Sequence, residues 1–303
     1  MPDRNPETDA SAVTDASPDT SASRVAAAPL SGTRFDGARD EQETSRKVRE
    51  MFGGIAPRYD LLNHLLSGRL DNVWRRRVAR RFAPTLARSD ARVLDLCCGT
   101  GDLAFALARQ CTSSARITGA DFSPEMLAIA RRKGAAMATT AANRAATSAE
   151  GERATRSVEA NRDATRTSVE FVEADALRLP FGDATFDLVT TAFGFRNLAN
   201  YDSGLKEILR VLRLGGEIGI LEFSEPRGKL FGALYRFYFR RILPALGGII
   251  SGNSAAYSYL PRSVGRFPSP EELAAQMERA GFGDVRFVRW TGGTVTLHTA
   301  RRP

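Results

Sequence analysis

The segment from Ala91 to Arg109 constrains the fold more than any other. ARVLDL (Ala91 to Leu96) is a buried-strand run, CCGTG (Cys97 to Gly101) is a glycine turn, and the residues from Asp102 to Arg109 carry apolar side chains at helical spacing. The pattern then repeats. RITGADF (Arg116 to Phe122) reads as a second strand, and the helix after it opens at Ser123, Pro124 and Glu125, with serine as N-cap and proline at the first helical position. VEFVEAD (Val169 to Asp175), FDLVTTAF (Phe186 to Phe193) and EIGILEF (Glu217 to Phe223) add three strands. The helix between the last two places Leu205, Ile208, Leu209 and Leu212 on one face. Strands alternating with helices predict a parallel sheet covered by helices, and VRFVRW and TVTLHT, separated by Gly292 and Gly293, predict a closing antiparallel pair.

Outside this pattern the composition changes. Residues 1–45 are Asp, Ser, Thr, Pro and Ala with few large apolar groups, too little to offset the entropy of ordering, so a disordered tail is expected there and a folded domain over 46–303. Residues 134–168 are Ala, Thr, Ser, Arg and Glu without a hydrophobic stripe, and predict a flexible insertion. No cationic start followed by an apolar run marks a secretory signal, and the apolar stretch near Ile242 to Ile250 is too short to span a bilayer. Three cysteines, two of them adjacent, provide neither a disulfide framework nor a CxxC pair, which points to a reducing, cytoplasmic location. The net charge of +8 suits an anionic membrane face, nucleic acid or a solvated surface, and does not choose among them.

The glycine turn carries the chemistry. Gly99 and Gly101 permit close backbone approach to a ligand, with Ala104 in the third small-residue place, and Asp121, about twenty residues on, sits where a carboxylate can accept both ribose hydroxyls of a nucleoside. A dinucleotide would bring a pyrophosphate to this turn, where Asp95 would repel it. S-adenosylmethionine instead brings an ammonium and a sulfonium, which Asp95 and Asp102 favour. Asp175, followed by Ala176, ends the third strand where it can meet an adenine amino group. Cys97 and Cys98 read as small residues in a crowded turn, since no histidine lies near them in sequence. His64 and His298 read as packed or surface histidines, and no metal site is expected.

Taken together, VLDLCCGTGD, DFSPEMLAIAR, EADALRLPF, FDLVTTAFGFRN, LEFSEP and the C-terminal AGF and GGTVTLH resemble the UbiE/MenG quinone C-methyltransferases, as does the upstream FGGIAPRYDLLNHLLSGRLDNVWRRR. The resemblance covers Arg46 to His298 apart from the insertion, and FGFRN, RYDLLN and GNSAAYSYLPRSV are its most specific parts. It implies a class I, Rossmann-like methyltransferase with a seven-stranded, mostly parallel sheet, using S-adenosylmethionine at Thr100, Asp121, Asp175 and Ala176. The chain departs from the family at Ala192, where a serine is frequent, and at Arg213-Leu214-Gly215-Gly216, where KPGG is usual.

The substrate so implied is a prenylated quinol, demethylmenaquinol first and the ubiquinone precursor 2-polyprenyl-6-methoxy-1,4-benzoquinol as the alternative, alone or with it. Donors and cations at the ring oxygen would stabilise the transition state, and Arg196, Asn197 and Tyr59 are the candidates. Arginine stays protonated, so Arg196 is expected to stabilise a quinolate oxygen or hold a water that takes the proton. A bilayer-resident substrate also predicts peripheral contact with the inner membrane, for which Lys229 to Ile250 and the arginine-rich Trp74 to Phe82 are candidates. A nucleic-acid methyltransferase lacks support, since no NPPY-type motif or stacking platform accompanies the basic runs. A non-catalytic cofactor-binding module is the remaining alternative, and a homo-oligomer stays open.

Overall fold

Val93 and Leu94 are neighbours in the first strand, β1 (Arg92–Leu96), yet their side chains enter different cores. The same division holds for Leu188 and Val189 in β4 (Phe186–Ala192) and for Ile220 and Leu221 in β5 (Leu212–Phe223). Alternation along the pleat therefore supplies two buried faces from continuous apolar runs, as a parallel sheet requires. The computed structural model describes residues 32–112, 114–151, 169–226, 228, 232–233, 237 and 254–303. With β2 (Arg116–Asp121), β3 (Val169–Glu173), β6 (Gly283–Trp290) and β7 (Val295–Arg301), the strands form one seven-stranded sheet in the order β3-β2-β1-β4-β5-β7-β6. β1 to β5 are parallel, and β7 runs antiparallel to both of its neighbours.

One face is covered by α2 (Leu70–Arg81), α3 (Ala83–Leu86) and α4 (Asp102–Gln110), with Trp74, Val78, Phe82, Leu103 and Leu107 in contact with the strands. The opposite face carries α6 (Tyr201–Val211) and α8 (Pro270–Arg279), which bury Leu205, Ile208, Leu273 and Met277. Local chemistry sets the helix starts. Asn200 caps α6 by accepting from the Ser203 N–H at 2.9 Å, Ser269 and Glu272 form a reciprocal capping box on α8, and the Ser123 hydroxyl accepts from the Met126 N–H at 3.3 Å at the start of α5 (Pro124–Gly151). The remaining helices are α1 (Glu41–Leu66) and α7 (Ser254–Arg266).

Three expectations are corrected. The fold begins before residue 46. Thr33 is buried and donates its N–H to the Leu198 carbonyl at 2.8 Å, and α1 starts at Glu41, capped by Asp40 Oδ1 on the Glu43 N–H. Backbone hydrogen bonds and caps hold this segment, which is why apolar content did not reveal it; residues 1–31 lie outside the described residues. The first half of the expected insertion is helical, because α5 runs without interruption to Gly151 through an alanine-rich sequence of high helix propensity; residues 152–168 lie outside the described residues. Leu212, placed on the face of α6, instead opens β5, and the Arg213 to Gly216 segment belongs to that strand, where Gly215 (φ 72°) and Gly216 pair with Arg302. Lys229 to Ile250 lies outside the described residues except at three positions.

Candidate active site

From β1 the chain builds outward through β2 and β3 and then returns to add β4 on the other side, so β1 and β4 are adjacent strands whose following connections diverge. Ligands bind at such a switch point, beyond the carboxyl ends of the strands. An open cleft of about 920 Å3, counting the solvent at its mouth, lies there. Asp95, Gly99, Thr100, Asp121, Asp175 and Ala176 all line it, as do Tyr59 and Asn197. Gly101 does not. A Cβ on Gly101 (φ 85°) would lie 2.9 Å from the rings of Phe105 and Phe171, whereas one on Gly99 (φ 55°) would meet nothing within 4 Å. Gly101 is thus required by packing at the start of α4, and Gly99 by the left-handed turn at the cleft.

The two buried acids differ in how well they are satisfied. Asp95 is 1% exposed; Oδ1 accepts from the Thr190 hydroxyl of the adjacent strand at 3.1 Å, and Oδ2 has no hydrogen-bond partner. Burial raises its pKa to about 7. Asp121 accepts from the Gly99 N–H at 2.8 Å and the Ser123 N–H at 2.9 Å, which fixes the glycine turn against β2. Burial nevertheless outweighs these bonds and raises its pKa to about 6. Asp175 is exposed, and one of its oxygens accepts from the Leu177 N–H at 2.9 Å. Burial pushes the Cys97 and Cys98 thiols well up, which makes them poor nucleophiles. His298 is packed: its Nε2 lies 2.9 Å from the Pro270 carbonyl, and burial lowers its pKa to about 4.

α1 crosses the cleft with Phe52 and Tyr59, whose rings meet edge to face at 5.9 Å. The next residue, Asp60, ties this helix to the glycine turn: it accepts from the Thr100 hydroxyl at 2.5 Å and from Lys133 Nζ of α5 at 2.9 Å. Lys133 also pairs with Asp102 and reaches the Thr100 hydroxyl at 3.2 Å. Asp102, expected to add negative charge for a cationic ligand, is instead paired with Lys133, which it shares with Asp60, and has Arg75 3.8 Å from its other oxygen. Arg75 itself is buried in α2, pairs with Asp71 and lies 5.5 Å over the Phe193 ring.

On the other side, β4 ends in a left-handed residue, Phe193 (φ 62°), and a Cβ on Gly194 would come within 2.3 Å of the Cys97 Cβ, so the turns after β1 and β4 pack against each other directly. A 3-10 turn over Phe195–Asn197 follows. Asn197 faces the cleft, and its Oδ1 accepts from the Tyr259 hydroxyl at 3.1 Å. Arg196 does not line the cleft. It is 4% exposed, and its guanidinium pairs with Glu222 of β5 at 3.0 Å, while the Arg196 N–H donates to the other Glu222 oxygen at 3.0 Å. Burial alone would lower the Arg196 pKa, but the adjoining carboxylate more than offsets this and raises it.

Glu222, Asp60, Lys133, Arg75 and Tyr259 were absent from the sequence-based set of site residues. Glu222 had a signal, being the one acid just before the end of an apolar strand. Arg75 had one too, as a cation next to Trp74 and four residues after Asp71.

A doubly wound sheet of this order, closed by an antiparallel last strand, with buried carboxylates at the ends of β1 and β2, defines a class I methyltransferase that uses S-adenosylmethionine. The chain belongs to the ubiE/COQ5 methyltransferase family, whose model matches residues 40–153 and 152–302. It is 48% identical over 253 residues to the demethylmenaquinone methyltransferase of Thermus thermophilus, covering 84% of this chain and 100% of that one. It is 42% identical to the ubiquinone/menaquinone biosynthesis C-methyltransferase UbiE of Geobacter sulfurreducens, covering 86% and 90%. Among solved structures, a SAM-dependent methyltransferase from Thermotoga maritima matches with TM-score 0.53 at 16% identity over 84% of this chain and 100% of that one. The cyclase SpnF matches with TM-score 0.55 at 18% identity over 90% and 99%. At such identities these structures share the fold alone; the family match carries the activity.

Proposed function

We propose that the protein transfers the methyl group of S-adenosylmethionine to a ring carbon of demethylmenaquinol, giving menaquinol. The observation that carries this reading is the contrast within the cleft: Asp95 presents a buried carboxylate oxygen without a hydrogen-bond partner, and the aromatic residues Phe52, Tyr59 and Phe193 line the same cleft. A buried carboxylate oxygen without a hydrogen bond is costly and suits a cationic ligand, while the aromatic lining suits a planar apolar acceptor. The Thermus relative supports the naphthoquinol in particular.

In this reading Asp95 holds the cofactor's ammonium, Asp121 accepts from the ribose hydroxyls, and Asp175 with Ala176 meets the adenine edge. Gly99 and Gly101 maintain the turn, and Thr100, its hydroxyl held by Asp60 and Lys133, lines the site beside them. When bound, the cofactor supplies an electrophilic sulfonium methyl for in-line displacement. Asn197 orients the acceptor's ring oxygen, and Tyr59 hydrogen-bonds that oxygen and handles its proton. Arg196, directed at Glu222, holds the Phe195–Asn197 turn that presents Asn197, so direct stabilisation of the quinolate passes to Asn197 and Tyr59. α1 excludes water from the reacting pair.

A benzoquinol precursor of ubiquinone is the second reading, favoured by the Geobacter relative's name, which spans both pathways. The quinone content of cells lacking the protein tests both. Accumulated demethylmenaquinone supports the first, an accumulated demethylated benzoquinol supports the second, and a normal profile contradicts both. Cofactor binding by the purified protein without transfer to either quinol would favour a non-catalytic module. A substrate with a prenyl tail further implies peripheral contact with a membrane; among the described residues no helix is long and apolar enough to cross one.

A further inference from the structure

The buried face of α2 serves the cleft, through Arg75 and through Trp74, whose ring lies 6.0 Å from that of Phe193. Its outer face has no such use. Leu70 and Val73 are 42% and 39% exposed there, and Leu61 on the neighbouring α1 is 61% exposed. Around them stand Arg69, Arg76, Arg77 and Arg80, all exposed. Helical spacing within α2 puts Val73, Arg76 and Arg80 in one row, with Leu70, Val73 and Arg77 in the row beside it, and Arg69, left-handed at φ 64°, immediately precedes the helix. Among the described residues, none of these four arginines has a carboxylate within ion-pair distance, although elsewhere Arg39, Arg46, Arg210 and Arg213 all do. Arg77 lies 5.8 Å over the Trp290 ring, which joins this face to the edge strand β6, where Arg286 is exposed and Val288 is 47% exposed.

We propose that this face, the outer side of α2 continued onto β6, docks on an anionic lipid bilayer. Unpaired guanidiniums complement lipid phosphates, and the aliphatic side chains between them enter the interfacial region, where they leave water. A nucleic acid would gain nothing from Leu70 and Val73. The cleft lies on the other side of the same helix, about one helix diameter from the lipid. The inference deepens the reading of a prenylated substrate and rests on that reading for its purpose, but its test does not need the quinol.

The full chain is sedimented with vesicles of phosphatidylglycerol and phosphatidylcholine in equal parts, and with phosphatidylcholine alone. The wild type is expected to bind the anionic vesicles and to leave the neutral ones. Combining Arg76→Glu, Arg77→Glu and Arg80→Glu should weaken anionic-vesicle binding on the order of a hundredfold, with cofactor affinity unchanged. Combining Leu70→Ser and Val73→Ser should weaken it about tenfold while leaving any binding to duplex DNA as it was. Failure of the wild type to bind anionic vesicles overturns the proposal, as does full binding by the charge-reversed protein. Wild-type vesicle binding by the Leu70/Val73 variant also overturns it, in favour of a general polyanion surface. Turnover of a short-chain demethylmenaquinol without vesicle binding would sink the docking face and leave the enzymatic reading standing. Vesicle binding without turnover would do the reverse.

Discussion

The two halves of the cleft handle buried charge in opposite ways. At the ends of β1 and β2, Asp95 keeps an unpartnered oxygen and Asp121 holds two backbone N–H groups, and burial raises the pKa of each to between about 6 and about 7. At the ends of β4 and β5, Arg196 and Glu222 are as deeply buried, yet each neutralises the other. The first half leaves a carboxylate oxygen of Asp95 without a hydrogen bond; in the second the opposite charges pair with each other and shape a turn. Charge that faces a ligand remains titratable and exchangeable, whereas charge that supports a backbone is locked, so substitutions on the two sides should fail differently.

The sharpest break in this comparison is Arg196→Ala. Leaving Glu222 buried without its partner should cost about 3–5 kcal/mol, seen as a fall of roughly 10 °C in Tm, and turnover should fall with the displaced Asn197, while cofactor affinity in the folded fraction is spared. Thermal melts and calorimetry on the same sample check it; equal loss of cofactor affinity here and in Asp121→Ala would erase the distinction. Asp121→Ala should weaken S-adenosylmethionine on the order of a hundredfold, since it removes a charged hydrogen-bond acceptor from the ribose and releases the Gly99 turn. Asn197→Ala and Tyr59→Phe should each lower kcat by roughly tenfold to a hundredfold with little change in cofactor Kd, as single-turnover assays would show.

Acidity gives a smaller effect of known sign. A cationic ligand needs Asp95 ionised, so Kd for S-adenosylmethionine should tighten by about tenfold from pH 6 to pH 8 and then level off. Without ligand the direction is the opposite for stability. A carboxyl whose folded pKa is raised opposes folding as it ionises, so Asp95 and Asp121 take stability from the empty protein as pH rises from about 4 to 7, and the cofactor restores it. A Kd that does not vary from pH 6 to pH 8 would mean that Asp95 does not meet the cation.

How far the sequence revealed all this follows the same division. All seven strands were legible, because a doubly wound sheet needs apolar runs bounded by turn residues, and six of the seven residues expected at a cofactor line the cleft because they sit at fixed offsets from those strands. The early boundary was not: Thr33 and Gly32 are fixed by a backbone hydrogen bond and by close packing against Ala199, neither of which leaves an apolar signature. The latch of Asp60, Thr100 and Lys133 joins residues 33 to 73 positions apart, and nothing local in Lys133 distinguishes it from any surface lysine. Arg196 was found by its motif and given the wrong neighbour, since a strand sequence does not reveal that Glu222 lies beside the turn.

The measurement closest to the central claim is transfer from S-adenosylmethionine carrying an isotopically labelled methyl group, offered to the purified protein with reduced demethylmenaquinol. The account predicts one labelled methyl per acceptor, on a ring carbon, with S-adenosylhomocysteine formed in equal amount. Label on a ring oxygen, or tight cofactor binding with no label transferred to any quinol, would contradict it.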